Sequence, residues 1–517
     1  MDLGLHAAQQ PDRPAVIMAE SGAVTTYREL NARSTRLARL LRSEGLRPGD
    51  HIAIMMENRP EFLEAVWAAQ RTGLKYTPVN WHLTAREAQY IVNDSGSLVL
   101  ITSAALAEVV DPAAPGCALR RTLIVNAGPG RREDYETALA EWSDEPLDDQ
   151  VEGRYMFYSS GTTGDPKGID GPLPGVPFGT GSPFDRDLGT SFGYGRDTVY
   201  LCPAPLYHAA PLNWTLGAHR HGGTAVVLEK FDAETALAQI EARRVTHAQF
   251  VPTMFVRMLK LPPRIRDRYD HSSLRMVLHS AAPCPLDVKR AMIDWWGPIL
   301  VEYYGSTEGI GMTRIDSPEW LTHPGSVGRP LPPATLHVLG PDGRELPPGQ
   351  VGEVHFGGGP RFEYHNAPDK TRASYTPDGL ATCGDLGHLD EDGYLYLSER
   401  RTDLVLSGGV NLYPQEIEAA LIMSPLVADV AVIGVPDDEL GEAVKAVVEP
   451  APGVPANDAT TAEIMRFARA NLSSFKCPKS IDFAPELPRL PSGKMLRRKI
   501  REEYGTRTRS HNDVAGT

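Results

Sequence analysis

The chain has 517 residues, 41% hydrophobic and 23% charged, an ordinary globular balance with length enough for a large lobe and one or more smaller ones. A formal net charge of -14 argues against a general binder of phosphate backbones, while leaving room for a local anion site. The five cysteines, Cys117, Cys202, Cys284, Cys383 and Cys477, are scattered and odd in number, which argues against a disulfide framework or a zinc site and for a reducing, cytoplasmic setting.

The start, Met1 to Val16, lacks a basic region followed by an apolar run, so no signal peptide is expected, and no apolar stretch is long enough to span a membrane. Thr26 and Glu29 form a capping-box pair ahead of a helix carrying Leu30, Leu37, Leu40 and Leu41. His51 to Met56 reads as a buried strand, Pro60 to Thr72 as a helix, and Thr84 with Glu87 as a second capping box before Leu98 to Thr102, again strand-like. This alternation predicts α/β layers with parallel pairing. A strand-like run, Tyr155 to Tyr158, leads into Ser159-Ser160-Gly161-Thr162-Thr163-Gly164-Asp165-Pro166-Lys167-Gly168. Residues 168–196 are rich in Gly and Pro and read as a long surface loop. Alternation resumes near Thr198. Short strands, including Leu336 to Leu339 and Gly352 to Phe356, predict a β-rich subdomain over about 325–400. From about Asp403 a compact α/β unit is expected, with a helix at Pro414 to Leu421, a strand at Val430 to Val435, and a polar, disordered tail after Tyr504.

The segment from Ser159 to Gly168 carries the clearest chemistry. Small residues and hydroxyls let backbone N–H groups approach a polyphosphate, and Lys167 adds a mobile positive charge. The spacing is not that of a Walker A loop, because Asp165-Pro166 separates Gly164 from Lys167.

With this segment, four later motifs fall in order: Tyr303-Tyr304-Gly305-Ser306-Thr307-Glu308-Gly309, Thr382-Cys383-Gly384-Asp385, Glu399-Arg400-Arg401-Thr402-Asp403 and Pro491-Ser492-Gly493-Lys494. Together they resemble the adenylate-forming superfamily, in its acyl-CoA synthetase or fatty-acid–CoA ligase branch, from about Asp12 to Glu503. The resemblance implies an α/β fold: a large N-terminal adenylation domain over 1–401, built of α/β subdomains and a β-rich one, and a small mobile C-terminal domain over 402–517. It implies ATP-dependent activation of a carboxylic acid as an acyl-adenylate, then thioester formation with coenzyme A. An acyl-adenylate-forming ligase that loads a carrier protein is the alternative, and a luciferase-like oxidase or a non-enzymatic nucleotide-binding regulator are outsiders.

Roles follow from the same resemblance. Ser159, Ser160, Gly161, Thr162, Thr163, Gly164 and Lys167 would hold the phosphates. Glu308 would be an oxygen ligand for Mg²⁺ carried with ATP, with Thr163 as a second contact. Tyr304 would pack on adenine beside Ser280-Ala281-Ala282-Pro283 and the stretch Glu302, Tyr303, Gly305, Ser306 and Thr307. Asp385 and Arg400 would bind ribose, with Leu397 nearby. His208 would sit by the acid carboxylate. Lys494, which alone reads as a surface charge, would stabilise the charge that develops when a carboxylate attacks the α-phosphate. Ser407, Gly408 and Gly409 would line the thiol channel, Lys476 would contact a coenzyme A phosphate, and Thr402 would be the hinge on which the C-terminal domain rotates between the two steps. Trp214, Phe250, Val251, Met254 and Gly305 would wall the acyl pocket. Amino-acid-activating relatives usually carry an acidic residue after the histidine region. Here Ala209-Ala210-Pro211-Leu212-Asn213-Trp214 has none, and no carrier-protein segment follows Lys494, which favours a stand-alone acyl-CoA synthetase over a peptide-synthetase module; the pocket walls are mostly apolar, so the expected substrate is a hydrophobic acid, fatty, aromatic or ring-containing. The expected partners are small molecules, neither nucleic acid nor a membrane, and a homodimer is an assembly the resemblance allows.

Overall fold

The computed structural model describes residues 1–128, 133–159, 166–398, 405–407, 410–412, 414–437, 440–489 and 495–505. Ser160, Gly161, Thr162, Thr163, Gly164, Arg400, Thr402, Gly408, Gly409 and Lys494 lie outside them, as does the tail beyond 505. Among the described residues no helix is long and apolar enough to cross a membrane.

Two sheets with helices packed against them dominate the N-terminal part. One is parallel throughout, in the order Arg121–Val125, Val99–Ser103, His51–Met55, Lys75–Pro78, Arg154–Tyr155. The other runs Arg329–Pro330, Met312–Asp316, Leu300–Gly305, Met276–His279, His247–Phe250, Val199–Cys202, Thr224–Val227, Pro14–Met18, Val24–Thr26. Its interior is parallel and its outer strands are antiparallel. In the strand Thr224–Val227 the apolar run Ala225, Val226 and Val227 is fully buried, as a parallel strand covered on both faces must be. Both expected capping boxes form: Thr26 with Glu29 opens Tyr27–Ser43, and Thr84 with Glu87 opens Ala85–Asp94.

The expected β-rich part is an antiparallel sheet of Thr335–Leu339, Gly352–Gly357, Ala381–Leu389 and Leu395–Ser398. A further sheet comes wholly from residues after 404, with Val427–Asp437 paired along its length to Gly441–Pro450, and the helix Pro414–Leu421 packs on it. The α/β fold expected from the sequence is the one observed.

Two local expectations are corrected. The run Tyr155 to Tyr158 is split between sheets: Arg154–Tyr155 pairs with Lys75 and Tyr76, while Phe157–Tyr158 pairs with Gly168 and Ile169. Residues 168–196 are not one long loop. Gly168–Asp170 is a strand and Pro183–Ser191 a helix, opened by a capping box of Ser182 and Asp185 with Pro183 in its first turn. Leu188 of that helix is fully buried. The helix is held because Glu152, 3% exposed, accepts hydrogen bonds at 2.9 Å from the Gly179 and Gly181 amides and two at 3.0 Å from Arg220.

Candidate active site

A large cleft opens along the C-terminal ends of the central strands, where open α/β sheets bind ligands. Ser159 and Lys167 close the mouth of the phosphate segment. The Ser159 amide donates to the Lys167 carbonyl at 2.8 Å, and the Lys167 amide donates to Ser159 Oγ at 3.1 Å. The segment is thus carried between two paired strands, one of which also pairs with Glu363–Tyr364. That third strand brings in Tyr364, a residue the sequence did not single out. Its hydroxyl donates to Glu308 Oε1 at 2.8 Å, and the Lys167 ammonium lies 5.1 Å from its ring centre. Burial, reinforced by Lys370, pushes the Lys167 ammonium below the usual lysine range, and Glu308 opposes the shift. Lys167, Tyr364 and Glu308 therefore form one group at this end of the cleft.

A further stretch of the cleft is built by the motif after residue 300. Alternation along the strand Leu300–Gly305 sends Tyr303 to one face and Glu302 and Tyr304 to the other. The Tyr304 hydroxyl donates to Asp385 Oδ2 at 2.7 Å, which joins two motifs 81 positions apart. Cys383 Sγ lies 3.2 Å from Ser306 Oγ, and burial beside Glu308 raises its thiol pKa far above the usual range. Ala281 takes φ 75°, a left-handed conformation uncommon without glycine, as the chain leaves the strand Met276–His279 through Ser280. Ala282, Pro283, Thr307 and Leu397 also border the cleft. Glu302 borders it too, but its carboxylate is committed elsewhere: Lys289 Nζ lies 2.5 Å away and His279 Nε2 3.7 Å away. Burial raises the Glu302 carboxyl and the Lys289 ammonium opposes this.

His208, which also borders the cleft, caps the helix Ala209–Arg220 without a side-chain cap bond. Burial, with His82 nearby, pushes its imidazole down to about 3, so it is neutral at physiological pH, and its Nε2 has no partner among the described residues. Trp214, on the same helix, is ringed by Phe184 at 5.3 Å, Phe192 at 4.9 Å and Tyr303 at 5.5 Å. Trp214 Nε1 donates to the Tyr303 hydroxyl at 3.0 Å. Val251 and the exposed Gly305 border the cleft as expected. Phe250 also borders the cleft, its ring packed 5.7 Å from Phe255 and 5.8 Å from Trp296, while Met254 is buried in the same cluster and is not among the residues bordering the cleft. Ser407 and Lys476 are not among the residues bordering the cleft, and Lys476 is ion-paired to Glu416.

Residues 4–361 match the family model described as AMP-binding enzyme, and residues 416–494 match the AMP-binding enzyme C-terminal domain. The chain belongs to the AMP-binding enzyme family. This AMP-binding enzyme is an acid–thiol ligase of the AMP-forming kind, within the adenylate-forming superfamily that its motifs resemble. It is 36% identical over 497 residues to a feruloyl-CoA synthase from Amycolatopsis sp, covering 95% of this chain and 96% of that one. It is 32% identical over 520 residues to the long-chain-fatty-acid–CoA ligase FadD13 of Mycobacterium tuberculosis, covering 96% and 97%. Its fold is similar to that of ATP-bound MatB from Rhodopseudomonas palustris, with TM-score 0.78, 30% identity and coverage of 98% and 99%.

Proposed function

We propose that the enzyme uses ATP to activate a hydrophobic carboxylic acid and passes the acyl group to coenzyme A, releasing pyrophosphate and then AMP. The observation that carries this reading is the convergence on one cleft of a phosphate-end group, Lys167–Tyr364–Glu308, a Tyr304–Asp385 pair, and an aromatic chamber around Trp214 that begins at His208.

In the first step a carboxylate oxygen of the acid bonds to the α-phosphorus, and the bond from that phosphorus to the pyrophosphate oxygen breaks. Two anions must meet, so fixed positive charge and oriented donors lower the barrier. Lys167 serves the outer phosphates. Lys494, on the C-terminal domain that we place over 402–517, serves the new bond and the bridging oxygen. His208, neutral, orients the acid by hydrogen bonding and adds no charge. Tyr304 and Asp385 hold the nucleoside, with Arg400. Mg²⁺ fits as a companion of ATP: Glu308 borders the cleft beside Tyr364 and Lys167, and with Thr163 it would give the small oxygen donor set that suits a magnesium carried on phosphate oxygens. Bound there, it would neutralise phosphate charge.

In the second step the thiol sulphur bonds to the acyl carbon, the bond from that carbon to the AMP oxygen breaks, and the thiol proton goes to solvent. Gly408 and Gly409 would then line the thiol's approach, after a rotation of the C-terminal domain at Thr402.

The test separates the half-reactions. Pyrophosphate release should require both the acid and ATP, and the thioester should require coenzyme A. Lys494→Ala should slow adenylation by about 10²–10³-fold. Thioester formation from a supplied acyl-adenylate should change far less. Equal losses in both would remove the role given to Lys494, and a thioester formed only on a carrier protein would change the acceptor.

A further inference from the structure

Lys167 and Glu308 both border one end of the cleft, yet no ion pair joins them among the described residues. Tyr364 engages each of them instead. Its hydroxyl donates to Glu308 Oε1 at 2.8 Å, and the Lys167 ammonium lies 5.1 Å from its ring centre. Burial holds that ammonium below the usual lysine range. Glu308 opposes the shift without reversing it, whereas a carboxylate in direct contact would reverse it.

Tyr364 is fixed from several sides. The strand Glu363–Tyr364 pairs it with Ile169, two residues after Lys167. Its amide donates to Thr371 Oγ1 at 2.9 Å, and Phe362, 1% exposed, packs edge-on against its ring at 5.1 Å. Burial and Glu308 raise its phenol far above the usual range, so the hydroxyl stays a donor. A ring face holds an ammonium weakly where water reaches it, and a phosphate oxygen, carrying charge, displaces it readily. A direct pair of Lys167 with Glu308 would be a stronger competitor. In the empty cleft it would occupy both side chains, and the apparent affinity for ATP would fall in proportion to the fraction of enzyme left unpaired.

We infer that Tyr364 is a positioning residue: its ring and its hydroxyl hold Lys167 and Glu308 apart in the empty cleft, which leaves both charges free for ATP. On binding, Lys167 exchanges the ring for phosphate oxygens, and Glu308 is released from the hydroxyl. Two neutral contacts are given up, where otherwise an ion pair would have to be broken. The inference rests on the reading above that places ATP against Lys167 and Glu308, and adds to it a residue that acts only through those two.

The experiment measures ATP binding to the full-length enzyme by calorimetry, with EDTA and without acid, so that neither metal nor turnover contributes. Tyr364→Leu, verified as folded by its melting transition, should weaken ATP binding about ten-fold, the effect of a Lys167–Glu308 pair formed in about nine-tenths of the free enzyme. Glu308→Gln relieves repulsion of the phosphates in any background, so the decisive quantity is the coupling between the two substitutions. Glu308→Gln should improve ATP affinity about ten-fold more in the Tyr364→Leu background than in the wild type. General damage at residue 364 would not be repaired by neutralising Glu308. An unchanged affinity in Tyr364→Leu, or equal effects of Glu308→Gln in both backgrounds, would therefore overturn the inference. If Tyr364→Leu does not fold, the same cycle is run with Tyr364→Phe, which keeps the ring and frees the carboxylate. Its coupling should be about three-fold, and no coupling would overturn the inference there too. A wild-type enzyme that binds no ATP, with or without Mg²⁺, would instead overturn the placement of ATP against Lys167 and Glu308.

Discussion

The aromatic chamber around Trp214 has two walls of different construction. One belongs to the central sheet: Gln249 and Tyr303 project from neighbouring parts of it, 2% and 7% exposed, and strand alternation alone decides that they face the cleft. The other is the helix Pro183–Ser191 with Phe192 after it, reached through a Gly- and Pro-rich approach. Its position depends on a few polar ties: Glu152 to the Gly179 and Gly181 amides, Arg220 to Asp185 at 3.5 Å, and His247 Nε2 to the Phe192 carbonyl at 3.0 Å. The first wall cannot move without disturbing a sheet. The second can be rebuilt by changing a handful of contacts, and so it is the wall on which substrate preference can vary at little cost to the fold.

The largest expected effect comes from cutting the ties of the second wall at their root. Glu152→Ala leaves Arg220, 3% exposed, without its bidentate partner. Removing one partner of a buried pair costs about 3–5 kcal/mol, readable as a lower urea midpoint at pH 7. A loss under about 1 kcal/mol would mean the helix does not depend on this tie.

Acid should destabilise the fold as a whole. His219 and His247 are buried, and burial pushes each imidazole down to about 4, below the ordinary 6.5. The unfolded chain takes up these protons first, so their stabilising contribution is complete above pH 6.5 and is lost as pH falls towards 4. Between pH 7 and 5 the loss is about 2 kcal/mol per ring. Urea unfolding of the wild type and His247→Gln at both pH values tests this, and the variant should show the smaller pH dependence.

The smallest effect is Ser182→Ala, which removes the N-cap of the second wall's helix. It should cost about 1 kcal/mol. It should also alter the relative kcat/KM values across a panel of acids while leaving the affinity for ATP unchanged, a split that a change to the sheet wall would not give.

This difference also marks what was legible in the sequence. The capping boxes at Thr26 and Thr84, the strand at residue 51 and the helix from Pro414 depend on neighbours in the chain, and they form as read. The motifs around Glu308 and Asp385 were legible as chemistry, but Tyr364, which ties Glu308 to Lys167, had no local signal because its role arises from pairing between strands almost 200 residues apart. Phe250, named for the pocket wall by resemblance, does border the cleft, but Gln249 beside it carried no apolar signal that would have marked it. The helix after Ser182 was hidden because glycines at 179, 181, 189 and 193 mask a capping box of the kind recognised twice earlier.

One consequence lies in the unequal lengths of two neighbouring strands. Met276–His279 ends opposite Glu302, whereas Leu300–Gly305 continues to Gly305 with pairing only on its far side, to Thr313 and Met312. The ladder between these two strands therefore stops at Glu302, and the shorter one's chain turns away at Ala281. The longer strand reaches on to the cleft, which Tyr303, Tyr304 and Gly305 border. How far the sheet extends there is set by its pairing to Met312–Asp316, a main-chain property that exchanges of single side chains leave in place.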